Sequence, residues 1–191
     1  IDKTELIYKL THSDSVYFLN RPRRFGKSLL VSTLEAYFQG KKHLFEGLAM
    51  ERLETEWAEY PVLHMDFSRR KYTDEDKLNE LLNIQISHWE ELYGSDEKEC
   101  SFSGRFEGVI RRAYEKTGKQ VVVLVDEYDS PLLDTNSDSA LQQKLRNVMR
   151  DFSSPLKSAG HYLRFLFLTG ISKFSQLSIF SELNNLQNIS M

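Results

Sequence analysis

The stretch YFLNRPRRFGKSLL, Tyr17 to Leu30, decides the fold class of this chain. A short apolar, β-prone run from Val16 to Leu19 leads into an arginine-rich segment, and apolar residues follow at helical spacing from Leu30 to Phe38. The segment Arg21 to Ser28 matches the phosphate-loop pattern G-x-x-x-x-G-K-[ST] at every fixed position except the first, where arginine replaces glycine. The stretch therefore predicts a strand, a phosphate-binding loop and a helix.

The residue types in this loop suit a polyphosphate. Backbone N–H groups at the start of a helix converge on one point, and the helix dipole favours negative charge there. Gly26 lets the backbone approach closely, Lys27 would reach the terminal phosphates, and the Ser28 hydroxyl would ligate a bridging magnesium ion. The residues that we expect to bind the nucleotide are Arg23, Arg24, Phe25, Gly26, Lys27, Ser28 and Leu29.

Two features of the loop leave another interpretation open. Arg21 lacks the backbone freedom of the glycine that it replaces, although Pro22 biases it towards an extended conformation. Arg23, Arg24 and Lys27 could also be exposed charges at the start of a helix. Cations at that position oppose the helix dipole unless an anion offsets them, which favours phosphate binding.

The rest of the chain alternates between strand and helix patterns. The predicted strands are Pro61–Phe67, Val121–Val125 and, as the last strand, Tyr162–Leu168. The predicted helices are Leu78–Tyr93 ending at Gly94, Phe106–Tyr114 ending at Gly118, Leu141–Phe152 with Ser139 and Gln142 in capping-box spacing at its start, and Ser175–Leu186. This alternation predicts an α/β fold with a parallel sheet between two helical layers, in one domain spanning residues 1–191.

An acidic cluster, DEYD, directly follows the most apolar strand. Ligands of such folds bind at the carboxyl ends of the strands, so we expect the cluster beside the phosphate loop. Asp126 would hold magnesium through water, and Glu127 would orient or deprotonate the attacking water, with Asp129 as a further carboxylate. A simple acidic turn is the alternative, but acidic and basic groups that converge at one edge need a ligand that neutralises both signs.

Weaker candidates end two other strands. Thr169 and Ser172 could contact the γ-phosphate or the water, or could stabilise a turn at Gly170. Asp66 could position water, although an aspartate at a strand end more often caps the next turn. Lys173 is either a surface lysine or a phosphate contact. We take Thr169 as the third candidate catalytic residue.

Composition excludes several classes of protein. The 191 residues carry a net charge of −3, which argues against a dedicated nucleic-acid binder and leaves nucleic acid as a minor hypothesis through Arg21, Arg23 and Arg24. A lone Cys100 excludes an internal disulfide, and no apolar run approaches the ~18 residues of a membrane span. We expect a cytoplasmic chain without a membrane partner. It lacks an initiator methionine and ends without a stop signal, so we also expect a fragment of a longer polypeptide.

Five stretches together resemble the AAA-ATPase-like domain family, which consists mostly of bacterial proteins often fused to a C-terminal PD-(D/E)XK nuclease-like domain. They are DKTELI (Asp2–Ile7), FLNRPRRFGKSLL (Phe18–Leu30), VLHMDFS (Val62–Ser68), VVVLVDEYDSPL (Val121–Leu132) and FLTGISKFSQLSIFSELNNLQNIS (Phe167–Ser190). Arginine at position 21 is usual in this family. The resemblance spans nearly the whole chain, and its last stretch is the most specific.

The resemblance implies a P-loop ATPase of the additional-strand class. Lys27 and Ser28 would carry its first motif (Walker A), Asp126 and Glu127 its second (Walker B), and Thr169 its sensor. It also implies a preference for adenine over guanine, which no base-reading motif in the sequence decides. The sequence does not decide the oligomeric state, and a homo-oligomer is one of the alternatives. A fifth core strand and any arginine finger would lie beyond Met191, so that the domain would be truncated at its C-terminus.

Two hypotheses about function follow. The first is Mg²⁺-dependent binding and hydrolysis of ATP, with Glu127 as the base. The second is a nucleotide-gated interaction module that controls a partner or a fused nuclease-like domain with little turnover of its own.

Overall fold

The computed structural model describes residues 2–22, 24–171 and 186–189. Its strands are β1 (Val16–Asn20), β2 (Val62–Asp66), β3 (Val121–Asp126), β4 (Leu163–Gly170) and β5 (Gln187–Asn188). Its helices are α1 (Thr4–Ser13), α2 (Lys27–Phe38), α3 (Ala49–Leu53), α4 (Glu75–Tyr93), α5 (Phe102–Thr117), α6 (Ser130–Asp134), α7 (Ser139–Ser153) and α8 (Pro155–Ser158). Among the helices of these described ranges, none is long and apolar enough to cross a membrane.

The strands form one parallel sheet of five strands in the order β2-β3-β4-β1-β5. The strand β4 lies between β1 and β3, and Asn20 at the end of β1 pairs with Gly170 at the end of β4. Because parallel strands all end at the same edge, the residues that follow β1, β3 and β4 are neighbours there. This architecture confirms the predicted α/β fold and is compatible with that of P-loop nucleotide-binding domains.

Helices cover both faces of the sheet. Along β3 every residue is buried, and successive side chains enter different apolar clusters. Val121, Val123 and Val125 join the cluster formed with α4, α5 and α7, whereas Val122 and Leu124 join the cluster formed with α1, α2 and α3. The continuous apolar run of β3 is explained by this burial on two sides.

Local chemistry fixes the ends of the long helices. The Asp74 side chain caps α4 by accepting a hydrogen bond from the Lys77 N–H, and α4 ends at Gly94, where φ is 98°. The predicted capping by Ser139 is wrong, because Asp138 caps α7 and accepts from the Leu141 N–H at 2.9 Å. An aspartate is as good a cap as serine, and here it lies one residue earlier.

The predictions for the C-terminal part need correction. The strand β4 is not the last strand, and the fifth strand does not lie beyond Met191, because β5 pairs in parallel with β1. The strand β5 consists of two exposed polar residues, Gln187 and Asn188, so no apolar run indicated it. A backbone hydrogen bond from Ile189 to Phe18 extends the pairing. The helix predicted at Ser175–Leu186 falls almost wholly outside the described residues.

Candidate functional site

The loop between β1 and α2 reaches the carboxyl edge of the sheet at its centre. The Arg21 N–H donates to the Gly170 carbonyl at 3.1 Å, which ties the start of the loop to the end of β4. Gly26 immediately precedes α2 with a φ of 74°, and a Cβ there would meet no atom within 4 Å. Its glycine is therefore required by backbone conformation rather than by crowding. Arg24 also has a positive φ, 67°.

Lys27 is the buried cation of the site. Its side chain is 3% exposed, and Nζ donates hydrogen bonds to the carbonyls of Arg21 at 2.8 Å and Pro22 at 3.2 Å. The same Nζ lies 3.4 Å from Oε1 of Glu127. Lys27 is thus not the exposed charge that the alternative interpretation of the loop requires. It points back over the loop towards the acidic cluster.

The acidic cluster is organised by the neighbouring strand β4. Asp126 is buried, and its Oδ1 accepts a hydrogen bond of 2.5 Å from the Thr169 hydroxyl. The same hydroxyl accepts a hydrogen bond from the Glu127 N–H at 2.9 Å. Thr169 is completely buried, so its single hydroxyl links the side chain of one acidic residue to the backbone of the next. Thr169 therefore binds Asp126 through its carboxylate but Glu127 through its backbone, and the Glu127 carboxylate has other partners.

Glu127 adopts a backbone conformation that is unusual for its residue type. Its φ is 48°, in the left-handed region, where residues other than glycine are uncommon. Oε2 of Glu127 accepts a hydrogen bond of 3.3 Å from the Ser130 hydroxyl, and its carbonyl accepts one from the Ser130 N–H. This tight turn directs the Glu127 carboxylate to Lys27. Strained backbone conformations of this kind often mark functional sites.

Two further acidic residues lie at the same edge but face other partners. Asp66 pairs with Asp126 in the sheet register, yet its carboxylate caps the turn after β2 by accepting from the Ser68 N–H, and it forms an ion pair with Arg69. Burial raises the pKa of Asp66, but the hydrogen bonds from Ser68 and Arg69 outweigh it and the net shift is downward. Asp129 accepts a hydrogen bond from the Ile171 N–H at 2.8 Å.

Gly170 permits close packing at the end of β4. A Cβ at this position would lie 2.6 Å from the Tyr128 ring and 3.0 Å from Oδ1 of Asp129. The strand therefore approaches the acidic cluster as closely as it does because residue 170 has no side chain.

The structure brings together four of the predicted site residues, which are Lys27, Asp126, Glu127 and Thr169. The other predicted nucleotide-binding residues with described positions are exposed, and they are Arg24, Phe25, Gly26, Ser28 and Leu29. Arg23 and the weaker candidates Ser172 and Lys173 lie outside the described residues.

Sequence reasoning missed Ser130 as a member of the site. In the sequence it appears, with Pro131, only as a residue that ends the strand and begins a turn. Its position three residues after Glu127, at the first position of α6, is the signal that could have indicated a hydrogen bond to that carboxylate.

The loop and the end of β3 carry oxygen atoms of the kind that magnesium prefers. Mg²⁺ prefers oxygen ligands and is usually held by one or two protein side chains together with phosphates and waters. The Ser28 hydroxyl and the Asp126 carboxylate are such ligands. Within the part of the chain that the structure describes, no group of three or more His, Cys, Asp or Glu side chains could hold a metal by itself.

Comparisons with known proteins agree with this arrangement. The model of the AAA-ATPase-like family, described as predicted AAA-ATPase, matches residues 1–180. An uncharacterised protein from the vnfD 5′ region of Azotobacter chroococcum mcd 1 is 39% identical over the whole of this chain. The chain spans 37% of that relative's length. No solved structure matches the chain. Since the family model covers almost every residue and the fold agrees with it, the chain belongs to the predicted AAA-ATPase family.

Proposed function

We propose that this chain binds a magnesium-bound nucleoside triphosphate between the β1–α2 loop and the end of β3, and that it hydrolyses the terminal phosphate. The observation that carries the proposal is the approach of Lys27 Nζ to the Glu127 carboxylate, 3.4 Å apart at the carboxyl edge of the sheet. A cation for the phosphates and a carboxylate that can act as the base for the attacking water therefore share one site.

In this proposal the loop and the start of α2 bind the phosphates. The N–H groups at the start of the twelve-residue helix α2 and its dipole attract the anion, and Lys27 exchanges its contacts for oxygens of the β- and γ-phosphates. The Ser28 hydroxyl and Asp126 would hold Mg²⁺, Asp126 through a water molecule. The bound ion would neutralise charge that develops on the phosphate oxygens.

Glu127 serves as the base in this proposal. Its carboxylate would accept a proton from the water, or orient that water, for attack on the γ-phosphorus. Thr169 acts as a positioning residue, because its hydroxyl holds the Asp126 carboxylate and the Glu127 backbone. Membership of the predicted AAA-ATPase family supports ATP as the nucleotide.

Phosphate release from Mg-ATP tests the hydrolytic step. We expect Glu127→Gln to retain nucleotide binding but to lower turnover by about 10²-fold or more, because Gln cannot accept the proton. Glu107→Gln, which removes an exposed carboxylate from α5, is the matched control and should retain wild-type turnover. Equal rates of phosphate release for wild type and Glu127→Gln would contradict the assignment of Glu127 as the base.

A second candidate is a nucleotide-gated module that controls an additional domain or a partner. Its support is that the Lys27–Glu127 contact must break when phosphates bind, which gives the site two distinct states. The greater length of the Azotobacter relative agrees with a further domain, for which a nuclease-like domain is our candidate. Tight nucleotide binding with no phosphate release above the Glu127→Gln level would favour this function over hydrolysis.

A further inference from the structure

The Lys27–Glu127 ion pair joins two groups that the proposed function needs to be free. We propose that Ser130 positions Glu127 as a latch over Lys27, so that the ligand-free site is closed by its own carboxylate and a nucleotide phosphate must displace it. This inference rests on the proposed function and adds a regulation of the same site.

Burial makes the latch a strong contact. The Lys27 side chain is 3% exposed and the Glu127 side chain is 15% exposed, so water screens their attraction only weakly. The carbonyls of Arg21 and Pro22 occupy two further donor directions of Nζ. The ammonium group therefore has two hydrogen-bond acceptors and one ion-pair partner within the protein. A phosphate oxygen that pairs with Nζ must therefore compete with the Glu127 carboxylate for the same charge.

The turn after β3 holds the carboxylate in this position. The Ser130 hydroxyl donates to Oε2, while Oε1 faces Lys27. Ser130 is a buried residue, and Glu127 has a left-handed φ of 48° in the same turn. Asp126 itself is bound to Thr169. Glu127 thus forms an ion pair with Lys27, and Ser130 positions its carboxylate.

The latch has a consequence for both binding and chemistry. The apparent affinity for a ligand falls in proportion to the fraction of molecules that are in the binding-competent state. Phosphate and the Glu127 carboxylate are both anions, so they compete for the same cation. Glu127 becomes free to act on water only after a phosphate has taken its place on Lys27. The base would therefore be released by the substrate itself.

Calorimetric titration with Mg-ADP tests the latch, since ADP has no γ-phosphate and binding is measured without turnover. We expect Glu127→Gln to bind Mg-ADP about tenfold more tightly than wild type. This factor corresponds to about a tenth of the wild-type molecules having the Lys27–Glu127 ion pair broken. Ser130→Ala keeps every charge but removes the hydrogen bond to the Glu127 carboxylate. It should therefore bind Mg-ADP about threefold more tightly. Ser130→Thr retains the hydroxyl and should restore the wild-type affinity.

Thermal unfolding of the ligand-free variants provides a second readout. Glu127→Gln and Ser130→Ala should lower the Tm while they raise the affinity, because the contact that they weaken exists only in the closed state. Glu35→Gln is the matched control. Glu35 lies on α2 and pairs with His64 at 2.9 Å, away from Lys27, so its loss should lower the Tm and leave Mg-ADP binding unchanged.

The outcomes separate the latch from the function on which it rests. If Lys27→Ala loses Mg-ADP binding but neither Glu127→Gln nor Ser130→Ala gains affinity, the latch is refuted and the nucleotide site stands. If Glu127→Gln gains affinity for Mg-ADP but Ser130→Ala does not, the gain comes only from removal of the Glu127 charge. That result would refute the role of Ser130. If neither wild type nor Glu127→Gln binds Mg-ADP, the proposed function fails and the latch fails with it.

Discussion

Thr169 is the residue on which the geometry of the acidic cluster depends. Its buried hydroxyl donates to Asp126 and accepts from the Glu127 N–H, so it satisfies a buried carboxylate and a partly buried N–H group. An unsatisfied buried donor or acceptor costs about 1–3 kcal/mol. The side chain therefore contributes to stability as well as to the placement of both acids.

The substitution Thr169→Val tests this role because valine has almost the same shape and lacks the hydroxyl. We expect the free energy of unfolding in urea to fall by about 1–3 kcal/mol, and Thr169→Ser to retain most of it. A valine variant as stable as wild type, with unchanged nucleotide affinity, would contradict the positioning role.

The sequence patterns identified the residues of the site, but they did not predict the hydrogen bonds between those residues. Lys27 and Glu127 could be named because a phosphate-loop motif and an acidic strand end each carry a local signature. The sequence could not show whether Thr169 contacts the acidic residues or stabilises a turn at Gly170. Its two hydrogen bonds form only because β4 lies beside β3 in the sheet. The left-handed φ of Glu127 and the contact with Ser130 likewise arise from the turn as folded.

At the scale of elements, Arg105 joins α5 to α4 on the face of the sheet that α7 also covers. It makes a two-pronged contact with Glu90, at 2.9 and 2.6 Å, and also donates to Asn83 and Ser87. Both partners of the ion pair are largely buried, with side-chain exposures of 17% and 14%. The hydrogen bond from Arg105 lowers the pKa of Glu90 below 4.5, its ordinary value.

We expect Arg105→Ala to lower the free energy of unfolding by about 2–3 kcal/mol at pH 7, because it leaves a mostly buried carboxylate without its partner. Since the folded pKa of Glu90 is depressed, the stabilisation is fully present above pH 4.5 and is lost as the pH falls through the folded value. The difference between wild type and variant should therefore narrow below pH 4.5 in urea titrations. A difference that stays constant down to pH 3 would contradict the ion pair's contribution.

Elements with long apolar patterns were predicted well, and short or polar ones were not. The helices α4 and α5 have a buried stripe and a terminal glycine, and both were found with their ends close to the observed positions. The helix α1 was not predicted, since its described buried residues, Thr4, Ile7 and Thr11, include only one apolar side chain. The strand β5 is defined by its pairing with β1 rather than by its own composition.

At the scale of the whole molecule, strand order explains why distant segments of the sequence meet. The strands β1, β4 and β3 are adjacent in the sheet, although β1 and β4 are separated by most of the chain. Their carboxyl ends bring the phosphate loop, Thr169 and the acidic cluster to one edge. The alternation of strands and helices predicted a parallel sheet, and the rule that ligands bind at the carboxyl edge predicted where the site lies.

The most direct test of the account is calorimetric titration of a magnesium-bound, non-hydrolysable ATP analogue into wild type, Lys27→Ala and Lys9→Ala. Lys9 is an exposed lysine of α1 that pairs with Glu5, and it serves as the control. We predict that wild type and Lys9→Ala bind the analogue equally, and that Lys27→Ala binds about 100-fold more weakly because it loses the buried cation. Equal binding by Lys27→Ala and wild type would contradict the account.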